Sequence, residues 1–140
     1  MAISFQCTFD AGDPHALAEF WASALGYQVE DTNDLCRRML DAGHATDADV
    51  EEVGGRYRWR DATALSDPDG ASPRIYVQRV PEPKTAKNRF HPDLRVGADQ
   101  RDAEVARLEA LGARRLHDGR QGPLQWVTMA DPEGNEFCVS

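Results

Sequence analysis

The sequence predicts an α+β fold in which one strand, helix, strand, strand, strand unit is used twice. Three observations carry that expectation. Phe5-Gln6-Cys7-Thr8-Phe9 precedes a helical run ending in Leu25-Gly26, and Phe90-His91-Pro92-Asp93-Leu94 precedes one ending in Leu111-Gly112. The spacing matches, with Gln6 lying 20 residues before its glycine and His91 lying 21 before its own. Later in each half an Asp-Pro-acid-Gly turn, Asp67-Pro68-Asp69-Gly70 or Asp131-Pro132-Glu133-Gly134, leads into a strand. A chain of 140 residues is the usual size of one domain. Halves this small would be marginal alone, so they should share a core or complete each other in a dimer.

In the first half, Ile3, Phe5, Cys7 and Phe9 alternate with Ser4, Gln6 and Thr8, the period of a half-buried strand. Asp13-Pro14 opens a helix in the favoured order of cap and first helical proline. Leu17, Phe20, Trp21 and Ala24 recur at helical spacing and form its buried stripe, and Gly26 supplies the left-handed C-terminal position. A strand over Tyr27 to Glu30 follows. Asn33 to Leu40 reads as a short helix with Leu35, Met39 and Leu40 inward, and Asp47 to Val53 as another turn or two. Gly54-Gly55 breaks the pattern before Arg56-Tyr57-Arg58-Trp59-Arg60, a strictly alternating strand. Its arginine row is either the solvated face of a sheet or the lining of a cavity suited to an anion. Leu65 to Pro73 is loop, and Arg74 to Val80 is a strand with Ile75 and Val77 on one face and Tyr76 and Gln78 on the other. Pro81-Glu82-Pro83-Lys84 bridges the halves, so module one covers about 1–83 and module two about 84–140 of a single domain.

The second half opens on Lys87 to Val96, read as a short alternating strand. Side chains two apart share a strand face, so His91, Asp93 and Arg95 point one way and Phe90, Leu94 and Val96 the other. Gly97 to Arg101 is a turn, and Asp102 caps a helix whose inward positions are Val105, Leu108 and Leu111, closed by Gly112. Strands are expected over Ala113 to His117, Leu124 to Met129 and Asn135 to Ser140. In the last of these Glu136 and Cys138 share a face opposite Phe137 and Val139.

Composition excludes several classes. The net charge of −8, from 16 basic and 24 acidic residues, argues against a nucleic-acid backbone as partner. Cys7, Cys36 and Cys138 are odd in number and far apart, without a Cys-x-x-Cys, so neither a disulfide framework nor a thiolate zinc knot follows. No apolar run approaches the length of a membrane span, and the first residues run straight into a strand without a basic or apolar leader. The expectation is a cytoplasmic protein with no membrane partner.

Together the paired units, Asp13-Pro14 through Leu25-Gly26, the Lys87 to Val96 stretch and Asp131-Pro132-Glu133-Gly134-Asn135-Glu136-Phe137-Cys138 resemble the vicinal oxygen chelate superfamily. More narrowly they resemble its glyoxalase-like and bleomycin-resistance-like domains. The resemblance covers nearly the whole chain, with Asp31 to Gly55 the least typical part. It implies two βαβββ modules forming a curved mixed sheet around a U-shaped cavity, the glyoxalase, bleomycin resistance and dihydroxybiphenyl dioxygenase fold, within one chain or across a homodimer. Family enzymes hold a divalent metal through the first and last strands of each module, positions that match Gln6, Gln78, His91 and Cys138. The carboxylates expected at Gln78 and Cys138 are missing, and Glu136 lies two residues short. Hard ions want charged oxygen ligands, whereas zinc accepts an imidazole and a thiolate. A divalent metal, zinc, nickel or manganese, is what the resemblance admits as cofactor.

Two functions are open on this reading. One is a glyoxalase-like lyase or isomerase in which His91 and Glu136 are the catalytic candidates, Glu136 moving a proton. The other is a protein that binds or sequesters a small organic molecule, of the antibiotic type, without chemistry. In both, Gln6, Tyr76, Gln78, Asp93 and Trp126 are the ligand-binding candidates, as amide or carboxylate hydrogen-bonding groups or aromatic surfaces. His91 and Cys138 also have plain uses, as a hydrogen-bonded histidine and a buried thiol.

Overall fold

A computed structural model describes residues 2–140, which divide into two compact units, the first ending at Pro81 and the second spanning Glu82–Ser140. In the first, β1 (Cys7–Ala11) leads into α1 (Pro14–Leu25) and β2 (Gln28–Val29). Next come α2 (Asn33–Asp41), the hairpin β3 (Val50–Val53) and β4 (Arg56–Trp59), then β5 (Ala62–Ser66) and β6 (Ile75–Arg79). The second unit runs β7 (Asp93–Leu94), α3 (Ala98–Ala110), β8 (Arg114–Gln121), β9 (Leu124–Ala130) and β10 (Glu136–Val139). Its sheet has the order β7-β10-β9-β8, and the first unit's main sheet has the order β1-β6-β5-β2. Both therefore run first strand, last, third, second, with the first and last parallel and the other pairs antiparallel. The repeated α+β unit is present in both halves, and α2 with the β3–β4 hairpin is an insertion in the first.

Helix α1 forms as its sequence dictates. The Asp13 carboxylate accepts from the His15 and Ala16 N–H groups at 3.1 Å each, Pro14 occupies the first turn, and Gly26 ends the helix at φ 71°. Its stripe of Leu17, Phe20, Trp21 and Ala24 is buried, as are Leu65 and Val77 of β5 and β6. In the second unit Val105 and Leu108 of α3 are buried together with Val127, Met129, Phe137 and Val139. Each helix thus covers one face of its sheet with apolar side chains.

Several local expectations are corrected. Ile3 and Phe5 are 90% and 69% exposed, because β1 begins only at Cys7 opposite Ile75. Beyond that point the neighbouring strand meets Pro73, which has no N–H to offer. Asp47 to Val53 is not helical: β3 pairs with β4 across Gly54-Gly55, both at positive φ (58° and 78°), a two-residue hairpin turn. Arg56 to Arg60 consequently lies outside the main sheet, and Ala62–Ser66, of which Leu65 and Ser66 were assigned to loop, supplies its third strand. Helix α2 turns Asn33 and Cys36 inward, while Leu35 is 38% exposed. The Asn33 side chain sets that face by accepting the Tyr57 N–H at 2.9 Å.

The row Arg56, Arg58, Arg60 is engaged with the protein itself, through Asp31, through Glu51 at 2.8 Å and through the carbonyls of Asp47, Ala48 and Val50. Lys87 to Val96 bonds to the last strand from the Pro92 carbonyl to the Val96 N–H, with Asp93 and Leu94 as β7, and Phe90 ahead of it is 75% exposed. Helix α3 starts at Ala98 rather than Asp102, and Leu111 is 38% exposed beyond its end. Strand β8 runs past His117 to Gln121, so that Gly119 lies within its ladder.

Candidate functional site

Strand pairing in the second unit assembles the site. Cys138 on β10 sits opposite Asp93 on β7 and Thr128 on β9, and Thr128 sits opposite His117 on β8. Directly paired residues share a sheet face. Asp93, Cys138, Thr128 and His117 therefore form a row across the sheet on the side opposite the apolar set that meets α3. Trp126, two residues along β9 from Thr128, projects to that same side. Its half-buried indole lies across Gly119, its pairing partner, and a Cβ there would stand 2.1 Å from the ring.

At the β7 end of the row His91, Asp93 and Cys138 converge. His91 Nδ1 is 3.2 Å from Asp93 Oδ1, and one potential ligand atom from each of the three lies within 4.8 Å of the others. Cys138 is 9% exposed, and its Sγ is 3.7 Å from the Thr128 hydroxyl. Burial pushes the Cys138 thiol up from its ordinary value, and the adjacent Asp93 carboxylate pushes the same way, so the group is a neutral thiol at pH 7. An unactivated thiol of this kind is a weak nucleophile. The imidazole held by a carboxylate is the group equipped to exchange protons.

Glu136 faces the same side but is already occupied. Its carboxylate accepts the Asn88 backbone N–H at 2.9 Å and pairs with Lys84 Nζ at 3.3 Å. The Asn88 N–H, with Lys84 adding to it, holds the Glu136 carboxyl below the usual glutamate range.

In the first unit the candidates are tied to different partners. Gln6 lies one residue ahead of β1, and its Oε1 accepts from Arg74 Nη1 at 2.7 Å. Arg74 also forms a two-point pair with Glu30 at 2.7 and 2.8 Å and lies 5.8 Å from the centre of the Tyr76 ring. Gln78 pairs opposite Asp10 and donates to its Oδ1 at 2.9 Å. The structure thus brings His91, Asp93 and Cys138 together, places Trp126 on the same sheet face, and keeps Gln6 and Gln78 on separate partners. Sequence reasoning missed Thr128, His117 and Asp10. The signal for Thr128 was present, as the one hydroxyl between Val127 and Met129 on a strand otherwise apolar at that end.

The metal-bearing positions of this fold imply a hard divalent ion. Such an ion wants several charged oxygens, and Asp93 is the one carboxylate in the cluster. Glu136, the next acid on that face, is spent on Asn88 and Lys84. A manganese-type ion therefore does not fit these residues. One imidazole, one carboxylate and one thiol are instead the donor types that zinc accepts.

The repeated strand order and the mixed sheets place the protein in the vicinal oxygen chelate class of folds. The chain belongs to the glyoxalase-like domain family, whose model matches residues 6–140. Similar solved structures include a hypothetical protein, SA1046, from S. aureus, at 12% identity and TM-score 0.64 over 99% of this chain and 93% of that one. A glyoxalase/bleomycin resistance protein/dioxygenase family enzyme from Burkholderia phytofirmans PsJN matches at 15% identity and TM-score 0.64, over 96% and 94%. The fosfomycin resistance protein FosX from Listeria monocytogenes, in complex with Mn(II) and 1S,2S-dihydroxypropylphosphonic acid, matches at 10% identity and TM-score 0.64, over 99% and 90%. At these identities the likeness shows the fold. No curated protein matches the chain in sequence. Among the described residues no helix is long and apolar enough to cross a membrane.

Proposed function

We propose that the protein binds a small organic molecule against the polar, helix-free face of β7-β10-β9-β8 and acts on it as a lyase or isomerase that moves a proton. The observation that carries this reading is the convergence of His91, Asp93 and Cys138 on that face. Asp93 accepts from His91 Nδ1, which fixes the tautomer and leaves Nε2 as the atom that takes or returns a proton. The neutral Cys138 thiol and the Thr128 hydroxyl supply donors to a ligand oxygen, and the Trp126 ring a flat apolar surface. On this reading Glu136 moves no proton, because an ionised carboxyl already bound to Asn88 and Lys84 is a poor base. Gln6, Tyr76 and Gln78 are the binding candidates of the first unit, in a chain read as a single domain of two modules. A cytoplasmic setting and a homodimer are compatible with this reading.

A second reading rests on the close grouping of the three donors. His91, Asp93 and Cys138 would hold a zinc-class ion, which supplies Lewis-acid polarisation of a ligand oxygen when bound. The imidazole cannot at once ligate through Nε2 and shuttle protons from it, so the two readings exclude each other.

A thermal-shift screen of small polar organic acids and phosphonates, with and without chelator, against wild type and His91→Asn tests the site. A compound that stabilises wild type and loses about tenfold or more in affinity in His91→Asn supports it, the cost expected for one buried polar partner. Equal stabilisation of both proteins would place binding elsewhere. Proton NMR of that compound in D2O then separates enzyme from sequestering protein: deuterium entering a carbon position marks turnover, and an unchanged spectrum marks binding alone. Zinc that stabilises wild type but not Cys138→Ala would favour the second reading over the first.

A further inference from the structure

The connection from β6 to β7, Val80 to Pro92, has no regular secondary structure and contains three prolines, Pro81, Pro83 and Pro92. Such a segment has few ladder bonds to hold it, yet it carries His91. Beyond Val80, whose N–H bonds to the Ala11 carbonyl at 3.0 Å, it is fixed at two places. At its far end the Pro92 carbonyl accepts the Cys138 N–H at 3.0 Å, joining it to β10. At its near end the Glu136 carboxylate takes the Asn88 N–H and the Lys84 ammonium. Lys84 also donates to the Ala86 carbonyl, closing a small loop. Its stem lies 3.6 Å from where a Cβ would stand on Gly134, an ordinary contact distance, so it runs alongside the turn before β10. The ion pair is sheltered, with side-chain exposures of 25% for Lys84 and 15% for Glu136.

Both anchors belong to β10, two residues apart, and only Arg89, Phe90 and His91 lie between the anchored Asn88 and Pro92. Phe90 is 75% exposed and contributes little packing of its own. The placement of His91 beside Asp93 is therefore set by the two ends of a three-residue span. One end is a backbone bond that any residue at 138 would make. The other depends on one side chain.

We infer that Glu136 is a positioning residue: its carboxylate clasps Lys84 and Asn88 and thereby holds the Asn88–Pro92 span so that His91 meets Asp93. This rests on the proposed function for its importance to the site, but the clasp itself is tested without any ligand. Glu136→Gln keeps an acceptor for the Asn88 N–H and loses the charge that pairs with Lys84, whereas Glu136→Ala loses both. Hydrogen exchange measured by NMR on the full chain should show the Asn88 amide exchanging about tenfold faster or more in Glu136→Ala, the loss expected for a charge-assisted hydrogen bond. Amides of the β8–β9 ladder should be unchanged. The His91 Cε1–H resonance should move toward that of an unstructured histidine in Glu136→Ala and return toward wild type in Glu136→Gln.

An unchanged Asn88 amide in Glu136→Ala would overturn the clasp. Faster exchange throughout the second unit, with Glu136→Gln no better than Glu136→Ala, would overturn it too, by making Glu136 a general stabiliser. A faster Asn88 amide with an unmoved His91 resonance would overturn the positioning role. None of these outcomes depends on whether the face binds a small molecule, which the thermal-shift screen decides separately.

Discussion

Replacing Trp21 by alanine should be among the most damaging single changes in the first unit. The residue is 1% exposed, and its ring meets Phe9 and Phe20 edge to face with centroids 5.4 Å away in each case. Truncating a buried tryptophan costs about 3 to 5 kcal/mol through lost transfer energy and the cavity left behind. Edge-to-face pairs add about 0.5 to 1.5 kcal/mol each beyond area burial. Both partners are lost at once, and neither can follow the vacated ring, because Phe9 sits in the β1 ladder and Phe20 on the same helix. The expected cost is therefore near the upper end, about 4 to 5 kcal/mol. With a urea dependence of about 2 kcal/mol per molar, the midpoint should fall by about 2 M. Equilibrium urea unfolding followed by far-UV circular dichroism measures this, and Trp126 fluorescence, read in a Trp59→Phe background, follows the second unit alongside. A midpoint within about 0.5 M of wild type would mean that α1 tolerates the hole, and would refute the packing argument.

Two further outcomes follow from named contacts. Gly119→Ala places a methyl 2.1 Å from the Trp126 ring. Since Gly119 is not among the glycines at positive φ, the strain is steric alone. The indole should leave the sheet, at a cost of about 1 to 3 kcal/mol, with a red-shifted emission absent from Gly119→Ala in a Trp126→Phe background; an unshifted spectrum would show that the ring does not rest on the glycine. Hydrogen bonding from Arg74, with Ser66 assisting, depresses the Glu30 carboxyl below its ordinary value against the opposing effect of burial. A depressed folded-state pKa stabilises fully above the unfolded value, and the contribution is lost as pH falls through the folded value. Wild type should thus lose stability on acidification through and below the ordinary glutamate range, and Glu30→Gln should lose less over that interval. Parallel melting curves for the two proteins across acid pH would contradict this.

What the sequence makes legible is what local chemistry decides. Asp13-Pro14 and Gly26 bracket α1 because cap and left-handed residue act on their own neighbours, and the Leu17 to Ala24 stripe needs only helical period. Strand β5 was missed because Ala62-Thr63-Ala64 has weak strand preference by itself and becomes a strand through burial between β6 and β2. The β3–β4 hairpin had its signal in Gly54-Gly55 between two alternating stretches, but the acidic run before it obscured the first strand. Lys87 to Val96 alternates over ten residues while its bonds to the last strand begin only at the Pro92 carbonyl, leaving Phe90 exposed ahead of them. Alternation reports which way side chains point, not how many backbone groups find a partner.

The candidate site shows the same limit in a sharper form. Spacing from the Asp-Pro-acid-Gly turns differs between halves, with Cys138 seven residues after Asp131 and Gln78 eleven after Asp67. Counting from the turns therefore does not align the last strands, and what the structure supplies is each residue's cross-strand partner. Cys138 is opposite Asp93, and Gln78 is opposite Asp10. Matched in this way, each unit sets an acid on its first strand against a polar residue on its last. In the first unit the Gln78 amide donates to Asp10 at 2.9 Å, and one demand of that carboxylate is met within the pair. In the second, the thiol opposite Asp93 is a weak donor, and the carboxylate turns to His91, two residues back along the chain and just ahead of β7; the residue two before Asp10 is Thr8, which has no titratable group. Set side by side, Asp10 has Thr8 and Gln78 as its neighbours and Asp93 has His91 and Cys138, so an imidazole stands beside the carboxylate in the second pair and not in the first. Cys138→Gln supplies the test of this asymmetry. If the new amide takes Asp93 as Gln78 takes Asp10, the His91 Cε1–H resonance should lose its dependence on Asp93, measured as an unchanged spectrum on adding Asp93→Asn. A His91 resonance that still responds to Asp93→Asn in the Cys138→Gln background would show that the two pairs are not equivalent.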